Sequence, residues 1–188
     1  MQIAAQNAGV QIVTGDTKVV HRGAVDKLFI NTTGIGIIPT NISISANNIK
    51  PGDTIIINGE IGNHGAAILI ARGELALESD IKSDCQPLHD LVTTILNVCP
   101  EIHAMRDATR GGLATVLNEF ALTSNVGIRL KEESIPIREE VKGVCEILGL
   151  EPLYLANEGK LVVVVGSENT SKVLAAMKSH PAGKNAAI

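Results

Sequence analysis

The stretch MRDATRGGLATVLNEF, residues 105–120, carries the clearest information about the fold. Its second half repeats apolar residues three and four positions apart, which makes one apolar stripe on an α-helix. The stripe consists of Leu113, Val116, Leu117, Phe120 and Ala121. The first half is unusual because Gly111 and Gly112 stand where the helix should begin, and a glycine costs about 1 kcal/mol relative to alanine in a helix. The two glycines therefore need a physical reason.

Apolar runs on both sides of this helix alternate between strand-like and helix-like spacing. Strands are predicted at TIIING (54–59), just before Asp107, at GIRL (127–130) and at KLVVVV (160–165). Helices are predicted over residues 65–72, 87–98, 138–148 and 168–179. This alternation predicts an α/β fold in which helices are layered on a sheet.

The beginning of the chain reads as the last part of a separate domain. Residues 3–8 resemble the final turns of a helix. A strand, a turn at Gly15-Asp16 and further extended chain are predicted after it over VQIVTGDTKVV (10–20), and another strand over KLFINTTGIGII (27–38). The polar loop TNISISANNIKPGD (40–53) then predicts a boundary, which we expect to divide the chain into residues 1–45 and 46–188.

Composition excludes several classes of function. A net charge of −4 gives no electrostatic reason to bind nucleic acid or anionic membranes, and 2% aromatic residues cannot form a base-stacking surface. No apolar run reaches the roughly 18 residues that a membrane span needs. Cys85, Cys99 and Cys145 are far apart and form no C-x-x-C pair, which favours a reducing cytoplasm over a disulfide framework or a zinc site.

The segment DATRGG has two interpretations. The amides of Gly111 and Gly112 at a helix N-terminus, with Arg110 as a forked donor, could hold a phosphate or carboxylate. Alternatively, Asp107 or Thr109 caps the helix and the glycines permit close packing against a strand. The sequence leaves both open.

Three further segments contain side chains suited to chemistry. In TGDTKVV, Asp16 could bind Mg²⁺ and Lys18 could contact a phosphate, although an ordinary polar turn explains the same letters. In NGEIGNHG, the glycine spacing matches neither a Rossmann fingerprint nor a P-loop, and His64 is a ligand, a base or a structural residue. In LANEGKLVVVV, apolar flanks would suit Glu158 to proton transfer, and the alternative is a turn residue that points to water.

The motifs together carry a resemblance that none carries alone. They follow one another as TGDTKVV, INTTGIGII, GNHG, SDC, MRDATRGGLATVLNEFA, IPIREEV, CEILGLEPLYLANEGKLV and SHPAGKNAAI. In the order and the residues of these motifs, the whole chain resembles the HypE family of [NiFe]-hydrogenase maturation proteins. This family lies within the superfamily of aminoimidazole ribonucleotide synthetase and selenophosphate synthetase. The resemblance implies a layered α/β C-terminal domain like that of aminoimidazole ribonucleotide synthetase. The last helix and strands of an N-terminal ATP-binding domain would precede it.

The resemblance also implies a reaction and its residues. Intact members of the family use ATP to dehydrate a carboxamide on their own C-terminal cysteine to a thiocyanate, the source of the cyanide ligand of the hydrogenase iron. It implies that Asp16 and Thr17 bind ATP and Mg²⁺, with Asp16 as a metal ligand. It implies catalytic roles for Lys18 and Glu158, the latter as the base. The anionic side of the cleft would be formed by Arg110, Gly111 and Gly112.

Partners and completeness follow from the same resemblance. It implies binding to the carbamoyltransferase HypF and the HypC–HypD complex, and a homodimer. Because most of the ATP-binding domain and the family's Pro-Arg-Ile-Cys tail are not matched, we expect a fragment that is inactive alone, with an exposed apolar surface over residues 10–38. The alternatives are a non-catalytic phosphate-binding, partner-binding or dimerisation module, and a purine-pathway or thiamine-phosphate kinase-like relative.

Overall fold

The computed structural model describes residues 1–73 and 79–188, which form two compact units, Met1–Thr40 and Asn41–Ile188. The regular elements of the described residues are α1 (Gln2–Asn7), β1 (Thr54–Ile57), α2 (Asn63–Ala71), α3 (His89–Val98), β2 (Ile102–Asp107), α4 (Gly112–Ser124), α5 (Glu139–Leu148), β3 (Leu161–Val165) and α6 (Thr170–Ser179). Short 3₁₀ turns lie at Ala46–Asn48, Glu132–Ser134, Pro152–Tyr154, Ser167–Asn169 and Pro181–Gly183. No helix in the described ranges is both long and apolar enough to cross a membrane.

The sheet of the second unit has β3 at its centre. β1 and β2 each pair with β3 in the antiparallel sense, so they run parallel to each other on its two sides. Ile57 faces Val162 in one ladder, and Asp107 faces Leu161 in the other. β1 and β2 therefore end at the same end of the sheet, and β3 begins there.

Both faces of the sheet are covered by helices. All five residues of β3 are buried, and their side chains alternate between the two faces because successive strand residues point to opposite sides. Val162 and Val164 join a core with α4, whereas Val163 and Val165 join a core with α3 and α6. A third apolar cluster connects α2 with α5. The layered α/β fold predicted from the sequence is confirmed.

Two local predictions in the second unit are wrong. The segment GIRL is not a strand, because no ladder forms there among the described residues and Arg129 and Leu130 are exposed. Neither Asp107 nor Thr109 caps α4. Asp107 is the last residue of β2, and the position before α4 is occupied by Gly111 in the left-handed conformation.

The first unit differs more from expectation. The predicted helix is present as α1, but neither residues 10–20 nor residues 27–38 form a strand among the described residues. A strand is stable only when its backbone groups pair with a neighbour, and within Met1–Thr40 the structure contains no such ladder. The expected apolar surface is confirmed: Val19 is 90% exposed and Phe29 is 73% exposed.

Candidate active site

Three of the sequence motifs meet at one end of the sheet. GNHG follows β1, DATRGG follows β2, and ANEGK precedes β3, so the antiparallel pairing makes them neighbours. Asn157, which is 1% exposed, joins all three segments. Its Oδ1 accepts the N–H of Gly62 at 2.8 Å, and its Nδ2 donates to the carbonyl of Ala108 at 2.8 Å. The topology thus builds a polar site from residues almost 100 positions apart.

The two glycines of DATRGG are explained by close packing. Gly111 and Gly112 have φ angles of +68° and +62°, a region that side chains rarely adopt. A Cβ on Gly112 would lie 2.4 Å from the carbonyl oxygen of Leu153 and 2.6 Å from that of Leu155. On Gly111 it would meet the hydroxyl oxygen of Thr115 at 2.1 Å. The turn therefore needs glycine whether or not it binds an anion, and the anion site stays a prediction.

Glu158 lies in a polar setting, not the apolar one that its sequence neighbours suggested. Its side chain is 38% exposed, although Asn157 before it and Lys160 after it are buried. These buried neighbours are polar and bring their own partners, so the apolar strand that follows does not surround the carboxylate. Of the two interpretations, the structure favours the turn residue that points to water, and the catalytic role of Glu158 remains a prediction.

His64 is the closest titratable partner of Glu158 among the described ion pairs. Its Nε2 is 3.8 Å from Glu158 Oε1, and its Nδ1 is 2.8 Å from the hydroxyl oxygen of Ser83. Imidazole and carboxylate groups are the usual carriers of protons near neutral pH. His64 and Glu158 are therefore both suited to accepting a proton. The sequence showed His64 between glycines but not its pairing with Glu158.

A buried ion pair supports the same loop. Lys160 Nζ is 3.2 Å from Asp84 Oδ2, and the two side chains are 6% and 4% exposed. The other carboxylate oxygen of Asp84 accepts the backbone N–H of Glu158 at 3.1 Å. The motifs SDC and ANEGKLV are recognisable in the sequence, but their pairing through Asp84 and Lys160 is not. The available signal was a lysine placed directly before a fully apolar strand.

The charged residues of DATRGG, and Arg106 directly before it, are on the surface. Arg110 is exposed, and Arg106 forms an ion pair with Glu119 on α4. The hydroxyl of Thr109 donates to the carboxylate of Asp107. Arg110 is therefore accessible to an anionic ligand, which is compatible with its predicted role but does not test it.

The predicted nucleotide-binding residues belong to the first unit. Asp16, Thr17 and Lys18 are exposed, and the N–H of Thr17 donates to Asp16 Oδ1 at 2.8 Å. Within residues 1–73 and 79–188 the structure contains no group of three or more histidine, cysteine or acidic side chains that could hold a metal. Mg²⁺ in nucleotide sites is often held by one or two carboxylates together with phosphate oxygens and water, so the predicted role of Asp16 as a magnesium ligand stays a prediction.

Comparison with known proteins defines the class. Residues 50–188 match the family described as AIR synthase related protein, C-terminal domain, and the chain belongs to this family. The resemblance to HypE is confirmed by relatives along the whole chain. A carbamoyl dehydratase HypE from Rhodobacter capsulatus is 53% identical over 184 residues, which is 98% of this chain and 54% of that protein. The chain thus spans about half the length of the curated relatives it matches.

Solved structures of HypE share the fold. HypE in a HypE–HypF complex superposes with a TM-score of 0.96 at 49% identity, over 100% of this chain and 62% of that one. HypE in complex with ATP gives a TM-score of 0.93 at 48% identity, over 98% of this chain and 55% of that one. These values confirm the layered α/β architecture predicted from the sequence.

Proposed function

We propose that this chain forms part of an ATP-dependent carbamoyl dehydratase of [NiFe]-hydrogenase maturation. The observation that carries the proposal is identity of about half of all residues to relatives named carbamoyl dehydratase HypE, extending over both units of the chain. The reaction would convert S–C(=O)NH₂ and ATP into S–C≡N, ADP and phosphate. The amide oxygen leaves with the phosphate, and both N–H protons have to be removed.

The residues at the end of the sheet suit the proton-removal part of this reaction. In the proposal, the Glu158 carboxylate accepts an N–H proton from the activated carboxamide and becomes neutral, and His64, whose Nε2 lies 3.8 Å away, is a second acceptor for that proton. Arg110, exposed beside the α4 N-terminus, would contact the anionic part of the substrate. ATP would convert the amide oxygen into a leaving group, which an unactivated amide lacks.

The first unit contributes the proposed contacts to phosphate. Lys18 is an exposed cation two residues after Asp16 in the chain, and a lysine ammonium group can contact a phosphate oxygen. Asp16 would supply one carboxylate ligand to Mg²⁺, and no step is assigned to the metal. Because the chain matches only about half the length of its relatives and catalysis by positioning needs every group in place, we expect this chain alone to make no thiocyanate and to hydrolyse ATP weakly or not at all.

The proposal includes partners. A HypF-like carbamoyltransferase is supported by the structural match to HypE in its complex with HypF. The HypC–HypD complex and a homodimer follow from the family resemblance alone. A cytoplasmic location is supported by three cysteines that are not in disulfides. The second candidate, a non-catalytic dimerisation or partner-binding module, is favoured by the exposed apolar side chains of residues 10–38.

The experiment uses a chimera in which this chain replaces the matching half of the Rhodobacter capsulatus relative. Glu158→Gln preserves the shape of the side chain and removes the base, so dehydration should fall by about 10²–10⁴-fold while ATP binding is retained. Glu146→Gln, an exposed glutamate on α5, is the matched control and should change neither. Mass spectrometry of the carbamoylated tail with ATP and Mg²⁺ measures the loss of water.

Two results would contradict the proposal. Loss of water at the unsubstituted rate in Glu158→Gln would show that the base lies elsewhere. A chimera that binds ATP but never dehydrates the tail would favour the binding-module alternative.

A further inference from the structure

The loop before β3 exposes one side chain and buries its neighbours. Asn157 is 1% exposed and Lys160 is 6% exposed, whereas the side chain of Glu158 between them is 38% exposed. An exposed residue in a turn normally keeps several rotamers and some backbone freedom. Here the backbone on both sides of Glu158 is held inside the protein, so its carboxylate is presented from a fixed point.

Asp84 contacts the backbone of Glu158 directly. Its Oδ1 accepts the backbone N–H of Glu158 at 3.1 Å, and its Oδ2 lies 3.2 Å from the Nζ of Lys160. One carboxylate therefore contacts the loop twice, through a hydrogen bond at Glu158 and through a charge contact at Lys160 in which Oδ2 makes no hydrogen bond. Burying an ion pair generally brings little net stability, because desolvation of the two charges offsets their attraction. The Asp84–Lys160 ion pair therefore needs an explanation other than stability. Its position beside the backbone of Glu158 suggests that it orients this loop.

Further contacts keep the loop against the Asp84 segment. A Cβ on Gly159 would lie only 2.0 Å from the carbonyl oxygen of Asp84, so the two backbones touch at this point. The carbonyl of Gly159 accepts hydrogen bonds from Asn58 Nδ2 at 3.1 Å and from Gln86 Nε2 at 3.2 Å. Gly159, which follows Glu158, is therefore hydrogen-bonded both to the segment after β1 and to the segment before α3.

We propose that Asp84 is a positioning residue for Glu158, with Lys160 as the countercharge that keeps the Asp84 carboxylate in place. This inference rests on the proposed function, in which Glu158 is the proton acceptor of the dehydration. Asp84 touches no reacting atom. It fixes the backbone from which the Glu158 carboxylate reaches the substrate, and a displacement of about 1 Å in such a group can lower a rate by about 10²-fold.

Two double variants separate the hydrogen bond from the charge. Asp84→Asn with Lys160→Met removes both charges and keeps an oxygen that can accept the N–H of Glu158. Asp84→Leu with Lys160→Met removes the charges and the acceptor. Neither leaves an isolated charge in the interior, which a single substitution would do. Lys160→Arg preserves the ion pair and serves as the conservative variant if a double variant does not fold.

The first readout is amide hydrogen exchange of Glu158, followed by NMR in this chain and independent of any activity. The asparagine variant and Lys160→Arg should retain slow exchange, and the leucine variant should exchange at least about tenfold faster, since its amide has lost its acceptor. Unchanged exchange in the leucine variant would overturn the proposed contact.

The second readout is the dehydration rate in the chimera. The leucine variant should lose about 10²-fold in kcat with an unchanged KM for ATP, and the asparagine variant should stay near the unsubstituted rate. Equal rates in the two variants would overturn the positioning role. If the unsubstituted chimera does not dehydrate at all, the proposed function fails, and with it any catalytic role for the Asp84 contact. The exchange experiment then still shows whether that contact forms.

Discussion

Replacing Gly112 by alanine tests the structural reason for the double glycine. The residue has a φ of +62° at the first position of α4, and a Cβ there would lie 2.4 Å from the Leu153 carbonyl oxygen and 2.6 Å from that of Leu155. Both obstacles are backbone atoms, which cannot rotate away as a side chain can. The substitution must therefore push α4 away from the turn at Pro152–Tyr154 or strain the backbone.

The expected loss combines two effects. A left-handed conformation costs a residue with a Cβ about 1–2 kcal/mol, and overpacking costs typically about 1–3 kcal/mol. The free energy of unfolding should therefore fall by about 2–5 kcal/mol. At about 2–4 °C per kcal/mol for a chain of this size, the midpoint of thermal unfolding should fall by about 4–20 °C.

Gly143→Ala is the matched control. Gly143 lies inside α5, has an ordinary φ, and would meet no atom within 4 Å if it carried a Cβ. The same substitution there should stabilise the protein by about 0.5–1 kcal/mol, because alanine favours a helix. Thermal unfolding followed by circular dichroism measures both variants. If Gly112→Ala unfolds at or above the midpoint of Gly143→Ala, close approach does not explain the glycine.

Three further predictions concern the chain as a whole. Burial raises the pKa of the Cys145 thiol and lowers its thiolate fraction, so an alkylating reagent should label exposed Cys85 first and Cys145 only on unfolding; equal labelling rates in the native protein would contradict the structure. Limited proteolysis should cut first near Thr40, between the two units, leaving the second unit intact, and early cleavage within β3 would refute this. The apolar side chains of residues 10–38 should drive self-association, so light scattering that detects only monomer at high concentration would count against a dimer.

Most of the second unit could be predicted from the sequence because its signals are local. The stripes of α4 and α5 have helical spacing, and the run LVVVV reads as a buried strand without reference to any other segment. The predictions at GIRL and in residues 10–38 failed for a common reason. β-branched and apolar residues favour extended chain, but a strand also requires a partner, which a local pattern does not reveal.

The site was only partly predictable for a related reason. Glu158 and His64 could be named as candidates from their motifs, but their contact could not. Glu158 lies 94 residues after His64 (158 − 64), and Lys160 lies 76 residues after Asp84 (160 − 84). The order β1–β3–β2 decides those contacts. Local chemistry also misled at Glu158, since its apolar sequence neighbours do not surround it in space.

The order of the strands has a consequence for how the protein is made. β3 lies between β1 and β2 in the sheet, yet it is the last of the three to leave the ribosome. Ile57 of β1 pairs with Val162 of β3, so 105 residues (162 − 57) are synthesised between the two partners. At about 5–20 residues per second this delay is about 5–20 s. A nascent chain carries β1 unpaired throughout that time and β2 unpaired during its later part, so its yield in a cell should depend on chaperones more than its final stability suggests.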